Sequence, residues 1–219
     1  LLDLTDGTTI WTTIANAATE PEIIELIKNL LRFEDENEFY FLQIIQRKKE
    51  HPELGSNSYV VKTYYIKSSY ELEKVFPEMV AIAEFHNARV YIDVNVKSFE
   101  ATAFHTLKKV TDIILNKDYK QVRAAYNSVC GNHSAAEVKT WIVDIDLLEG
   151  EDGIQKEIEL FQFINSLAPE GEKVVVKLPT KNGFHLLTKP FRKDKFKEKY
   201  PTIDIHTSNP TLLFISSSD

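Results

Sequence analysis

Apolar residues recur along this chain at two spacings, one helical and one extended, and their alternation sets out the expected elements. Pro21 stands where a first helical turn would begin, after a Thr-rich stretch over 8–19, and Ile23, Ile24, Ile27, Leu30 and Leu31 follow at helical spacing. Glu38 to Gln46, with Phe39, Phe41, Ile44 and Ile45, predicts a strand that runs into the basic triplet Arg47-Lys48-Lys49. Pro52 to Ser58 predicts a turn, and the β-branched and aromatic run Tyr59 to Ile66 a second strand. Ser69 to His86 predicts a helix with Ser69 as its cap and Leu72, Val75, Met79, Ile82 and Ala83 on one face; Pro77 argues for a break or kink inside it. Ala88 to Val96 predicts a strand. Phe99 to Leu115 predicts a helix whose Phe104, Leu107, Val110, Ile113 and Ile114 are expected to face the core. The polar, glycine-containing segment 127–137 is the best candidate boundary.

Beyond it, Thr140 to Leu147 predicts a strand, and Glu149-Gly150-Glu151-Asp152 a turn and helix start whose acids suit the helix dipole. Ile154, Ile158, Phe161 and Ile164 carry that helix to about Leu167, where Pro169-Glu170-Gly171 breaks it. Lys173 to Leu178 and Phe184 to Thr188 predict strands on either side of a Pro-Thr-Lys-Asn-Gly turn. A basic segment, Lys189 to Lys199, precedes Asp204, and Thr211 to Ser216 predicts a closing strand. The expected organisation is an N-terminal α/β unit over 1–137 and a β-α-β-β module over 138–219.

One strand in this plan carries an anomaly. Trp141-Ile142-Val143-Asp144-Ile145-Asp146 is apolar except for two aspartates. Charged residues are rarely buried unless paired or bound to metal. In a strand, residues i and i+2 share a face, roughly 6–7 Å apart, so Asp144 and Asp146 would converge and repel unless a cation lies between them. A divalent metal site is the natural resolution. Asp93, in Tyr91-Ile92-Asp93-Val94-Asn95, is a second acid on an apolar strand and a competitor for the same role.

Composition narrows the field without deciding it. Of 219 residues, 43% are hydrophobic and 27% charged, as in ordinary globular proteins. The single cysteine, Cys130, excludes a disulfide framework or a cysteine-based zinc module and fits a reducing cytosol. No apolar stretch reaches the ~18 residues of a membrane span, and no signal-peptide pattern is seen at the start, so a cytoplasmic location is expected. With a net charge of −7, any nucleic-acid contact must come from local basic patches.

Three motifs in order resemble those of the archaeo-eukaryotic primase superfamily, which includes the primase-polymerases of phages and plasmids. They are the strand ending Val143-Asp144-Ile145-Asp146, the turn and strand start Thr180-Lys181-Asn182-Gly183-Phe184-His185, and Ile203-Asp204-Ile205-His206-Thr207 leading into Leu212-Leu213-Phe214. Over 1–137 the likeness is only architectural. The resemblance implies an α+β fold with an RNA-recognition-motif-like βαββ catalytic module, and metal-dependent nucleotidyl transfer by a DNA primase or polymerase in DNA replication. It implies that Asp144, Asp146 and Asp204 hold two Mg²⁺ or Mn²⁺ ions about 4 Å apart. His185, with Thr180, Lys181 and Gly183, would meet the triphosphate of the incoming nucleotide. Lys177, Lys189 and Arg192 would contact phosphates of template or primer, and Arg47, Lys48 and Lys49 would line a nucleic-acid groove. Expected partners are nucleoside triphosphates, a single-stranded or primed DNA template, and a helicase or other replication proteins. In place of the Ser and Arg often found near the histidine of the second motif stand Thr180 and Lys181, and no zinc motif, helicase domain or helical primase C-terminal domain is legible.

Residue by residue, blander roles stay open. Asp144 and Asp146 would serve as solvated residues at a strand end, His185 as a hydrogen-bonded histidine at a strand start, and Asp204 as a turn-capping acid. Lys189 to Lys199 alternates with acids as a solvated helical face does, and Arg47-Lys48-Lys49 reads equally as a surface charge run. His51, His86, His105 and His133 are too scattered to read as ligands. Other function classes also remain: a metal-dependent nuclease using Asp144 with Glu172, Lys173 and Lys177; a two-histidine phosphoesterase, for which only His206-Thr207-Ser208 has the right spacing; and an inactive nucleic-acid-binding module.

Overall fold

The computed structural model describes residues 20–55, 57–146, 153–180, 183–208 and 210–215. Among them are six α-helices and two four-stranded antiparallel sheets, a mixed α+β fold. The chain divides into two compact units, one built on Val138–Thr207 and the other on Ile23–Glu137 together with the chain from Ser208. Among the described residues no helix is long and apolar enough to cross a membrane.

In the second of these units, α1 (Glu20–Leu30) and β1 (Glu38–Gln46) lead to β2 (Tyr59–Ile66), α2 (Ser69–Phe85), β3 (Arg89–Ser98), α3 (Phe99–Leu115) and α4 (Ala125–Asn132). The strand that closes the chain, β8 (Thr211–Ile215), belongs to this sheet and not to a 138–219 module: it pairs with β3, giving the order β2-β1-β3-β8. The residues that make it a strand say nothing about its partner, because the pairing joins segments far apart in sequence. Leu42, Ile44, Val90 and Ile92 are buried on the face that carries α2, whose Leu72, Phe76, Met79 and Ala83 are buried in turn. The cap of α2 is Ser68, not Ser69: its hydroxyl accepts from the Glu71 backbone N–H at 3.0 Å. The helix runs unbroken through Pro77. The supposed boundary 127–137 overlaps α4, whose small buried residues Ala125, Val129 and Cys130 give little hydrophobic signal.

The largest departure concerns α3. Its bounds are as expected, but it buries Thr102 and Ile113, while Phe104 and Leu107 lie 67% and 66% exposed. Periodicity shows that a helix has an apolar stripe; it does not show which side meets the protein.

Asp93 is explained within this sheet. It pairs with Phe41 across β1, so it points toward the cluster of Phe39, Phe41 and Cys130. There it meets Lys97, two pleats along the same face, with Lys97 Nζ 2.6 Å from Asp93 Oδ2 and both side chains almost wholly buried. Lys97 also donates to the His133 carbonyl at 2.6 Å, and Asp93 accepts from the Asn95 N–H at 2.9 Å. This is a structural ion pair. Burial pushes the Asp93 carboxyl above its ordinary value of 3.8 against the pull of Lys97, and pushes the Cys130 thiol up to about 11.

The other unit contains β4 (Trp141–Asp146), α5 (Gly153–Ser166), β5 (Val174–Thr180), β6 (Gly183–Thr188), α6 (Lys193–Lys199) and β7 (Asp204–His206), with strand order β5-β6-β4-β7. Strand alternation gives the sheet two unlike faces. Val143, Ile145, Phe184 and Leu186 form one and pack with Leu160, Ile164, Leu167, Phe191 and Phe196 from the helices and loops. Of the α5 stripe, Ile164 is buried, whereas Ile154 and Ile158 are exposed, and Leu160 takes the core position.

Replacing Lys97 by Met leaves the Asp93 carboxylate buried without its partner and is expected to cost about 3–5 kcal/mol at pH 7 in urea unfolding. A carboxyl raised in the folded state loses stability as pH rises through its folded value. Loss of Lys97 raises Asp93 further, so the penalty relative to the parent chain should shrink as pH falls toward about 4. A penalty constant over that range contradicts the assignment.

Candidate active site

The opposite face of the second sheet carries the motif residues. In β4, Asp144 pairs with His185 of β6 on one side and with Asp204 of β7 on the other. Residues directly opposite in an antiparallel ladder point to the same face. His185, Asp144 and Asp204 therefore form one row across adjacent strands, continued by Leu178 of β5. The next row, two residues along, holds Thr180, Gly183 and Asp146. Three separate segments of sequence thus converge on one face at the Asp146 end of the sheet.

The row runs from sheltered to open. The side chain of His185 is 14% exposed, that of Asp144 45% and that of Asp204 73%. His185 Nε2 lies 3.4 Å from Asp144 Oδ1, close enough for a protonated ring to neutralise the carboxylate. Asp146 is exposed at the strand end. Asp204 meets Lys197 of α6, with Nζ 3.6 Å from Oδ1, and Lys197 also donates to the Pro201 carbonyl at 3.2 Å. Among the described residues no three of His, Cys, Asp and Glu stand together closely enough to hold an ion.

Gly183 is set by a close approach. A Cβ built there would lie 2.0 Å from the Ile145 carbonyl oxygen and 2.9 Å from Asp146 Cα. Only glycine lets β6 lie against the end of β4, and that pairing keeps His185 opposite Asp144.

The basic residues fall elsewhere. Lys181 and Asn182 lie outside the described residues. Lys177 is corrected: it sits one residue before Leu178, so alternation turns it to the helix-covered face, where it donates to Glu157 at 2.6 and 2.8 Å and lies over the Phe184 ring. Lys189 and Arg192 follow the far end of β6, away from Asp146, and Arg192 Nε donates to Asp194 at 2.9 Å. Arg47, Lys48 and Lys49 follow β1 in the other unit, where Arg47 lies 4.0 Å from Glu50 and Lys48 and Lys49 are exposed. The Glu172-Lys173 arrangement of a nuclease is disfavoured: Lys173 is buried, with its ammonium donating to the carbonyls of Asn165 and Gly171. Among the scattered histidines, His51 bonds Glu53 and the Asn87 carbonyl, and His105 stacks on His133.

Lys197 is the neighbour that sequence reasoning missed, because a basic run alternating with acids gives no sign that one lysine reaches a motif acid. His206 shares the face too, opposite Ile142, one row from Asp204; its alternation with Asp204 was the available signal.

Comparison with known proteins finds no family match for the chain, and no similar curated protein or solved structure.

Gly183→Ala should force β6 off the end of β4. We expect a loss of about 2–3 kcal/mol in thermal or denaturant unfolding. An alanine variant as stable as the parent would show that the close approach does not hold the strands.

Proposed function

We propose that the unit containing Val138–Thr207 is the catalytic module of a metal-dependent nucleotidyltransferase of the archaeo-eukaryotic primase type, which extends or primes DNA during replication. The observation that carries this reading is the row His185-Asp144-Asp204, formed by β6, β4 and β7, with Asp146, Thr180 and Gly183 in the next row. The strand order β5-β6-β4-β7, with helices after β4 and β6, is that of a split β-α-β module and supports the RNA-recognition-motif-like arrangement.

The donor chemistry fits hard divalent cations. Asp144, Asp146 and Asp204 are carboxylates on one partly open face, suited to Mg²⁺ or Mn²⁺. Bound there, two such ions would clamp the attacking 3′-oxygen and the leaving phosphate. His185, held beside Asp144, donates to a phosphate oxygen of the nucleoside triphosphate. Gly183 lets β6 lie against β4 and so holds His185 at that place. Asp204 would be the third carboxylate to hold the metal, with Lys197 beside it as a cation suited to the phosphates. Template or primed DNA is the substrate of this reading, with Arg47, Lys48, Lys49, Lys181, Lys189 and Arg192 as candidate backbone contacts, and a helicase or other replication protein is its expected partner.

A second reading, a nucleic-acid-binding module without catalysis, is favoured by one observation: the acids as placed do not gather into an ion-holding group among the described residues. Primer extension with Mn²⁺ and mixed nucleotides separates the two. The parent chain should incorporate nucleotide, and Asp144→Ala/Asp146→Ala should lower the rate by about 10²–10³-fold, as loss of a transition-state charge clamp does. Asp204→Ala should lower it comparably. A double variant with the parent's rate removes the site assignment. A parent that binds DNA but incorporates nothing favours the second reading, and one that degrades DNA would restore a nuclease.

A further inference from the structure

The outward face of α3 is the strongest feature that the catalytic reading leaves unused. Phe104, Leu107, Ile114 and Leu115 are 67%, 66%, 49% and 73% exposed, while Thr102 and Ile113 on the other side of the helix are buried. At about 100° per residue the four apolar side chains fall in one stripe roughly 100° wide, the width a helix ordinarily gives to a core. Large side chains gathered this way on a surface mark a contact site more often than chance exposure.

We propose that this stripe packs against the same stripe of a second copy of the chain, with the two helices antiparallel about a two-fold axis. The ends of the stripe, Phe104 and Leu115, lie equally far from its middle, so a two-fold axis there sets each against the other. With the axis between positions 109 and 110, Phe104 of each copy meets Ile114 and Leu115 of the other. Leu107 falls beside Thr111 of the second copy. The charges agree. Lys108 and Asp112 are exposed and lie on the same edge of the stripe. A two-fold axis lying between the helices keeps that edge on the same side in both copies, so Lys108 of each comes beside Asp112 of the other, twice. A helix pair of this length buries less than the ~1,200 Å² of a standard stable interface, so the association is weak, with a Kd of about 10–100 μM.

Sedimentation of the full chain to about 500 μM tests this. The parent chain should show reversible dimerisation in the stated range, and Leu107→Glu, at an exposed position and folded by circular dichroism, should remain monomeric. Lys108→Asp should weaken the dimer about tenfold, because it turns two attractive pairs into repulsive ones. Adding Asp112→Lys to that variant should restore the affinity to within about twofold of the parent, since the pairs re-form with reversed sign. A parent chain that stays monomeric overturns the proposal. So does a dimer indifferent to Leu107→Glu, or a double variant no tighter than Lys108→Asp alone.

Discussion

The candidate site depends on the register of β4 against the two strands that flank it. Asp144 acquires His185 and Asp204 as neighbours only because β6 and β7 both pair with β4 at that position. A slip of one residue on either side would turn the partner through the sheet and send His185 or Asp204 into the packed face. The hydrophobic alternation enforces the register from that face, since Val143, Ile145, Phe184 and Leu186 must all be buried together. At the open end, the contact of Gly183 with the Ile145 carbonyl adds a steric constraint that any side chain would violate. The chemistry of one face is therefore held by the packing of the other.

Two acids on apolar strands receive opposite treatment in the two sheets. Asp93 goes inward, and Lys97 follows it on the same face, so the charge is neutralised by the strand that creates it. A buried pair of this kind adds little net stability, because desolvation offsets most of the attraction, but removing one member leaves an unpaired charge. Asp144 stays half open, and its neighbours come from other strands. A carboxylate that needs no lysine on its own strand and remains accessible is available to a ligand. That contrast, more than the Asp-x-Asp pattern alone, separates the structural acid from the candidate catalytic one.

Much of the element plan was legible because it rests on local signals. β1, β2 and α3 have the bounds their patterns predict. What stayed hidden was non-local. The β8 sequence announces a strand and is silent about β3. α4 escaped because its buried residues are few and mostly small. The cap of α2 fell one residue early because two serines stand side by side and either can begin a helix. For the site, the three acids and the histidine were legible as candidates, but their common row was not, since register is a property of pairs of strands. The basic residues fared worst. Lysine and arginine stems are long and exposed, so composition shows that they are present and only the fold shows where they point. Lys177 turned toward Glu157, and Lys197 toward Asp204.

The misjudged face of α3 has the same origin but a different consequence. An apolar stripe is a statement about the helix alone, and two surfaces compete to receive it. Here the protein's own core is met by Thr102 and Ile113, a narrower contact than the stripe would give, and the larger residues are left outside. Each large apolar side chain left in water forgoes about 1.5–3 kcal/mol of burial, so four on one stripe make a free energy that association can recover. Lys108 and Asp112 sit on one edge of that stripe, where like copies meet with unlike charges. Such an arrangement favours pairing with itself over pairing with an arbitrary apolar surface, because only a partner carrying the same two charges in reversed direction satisfies both.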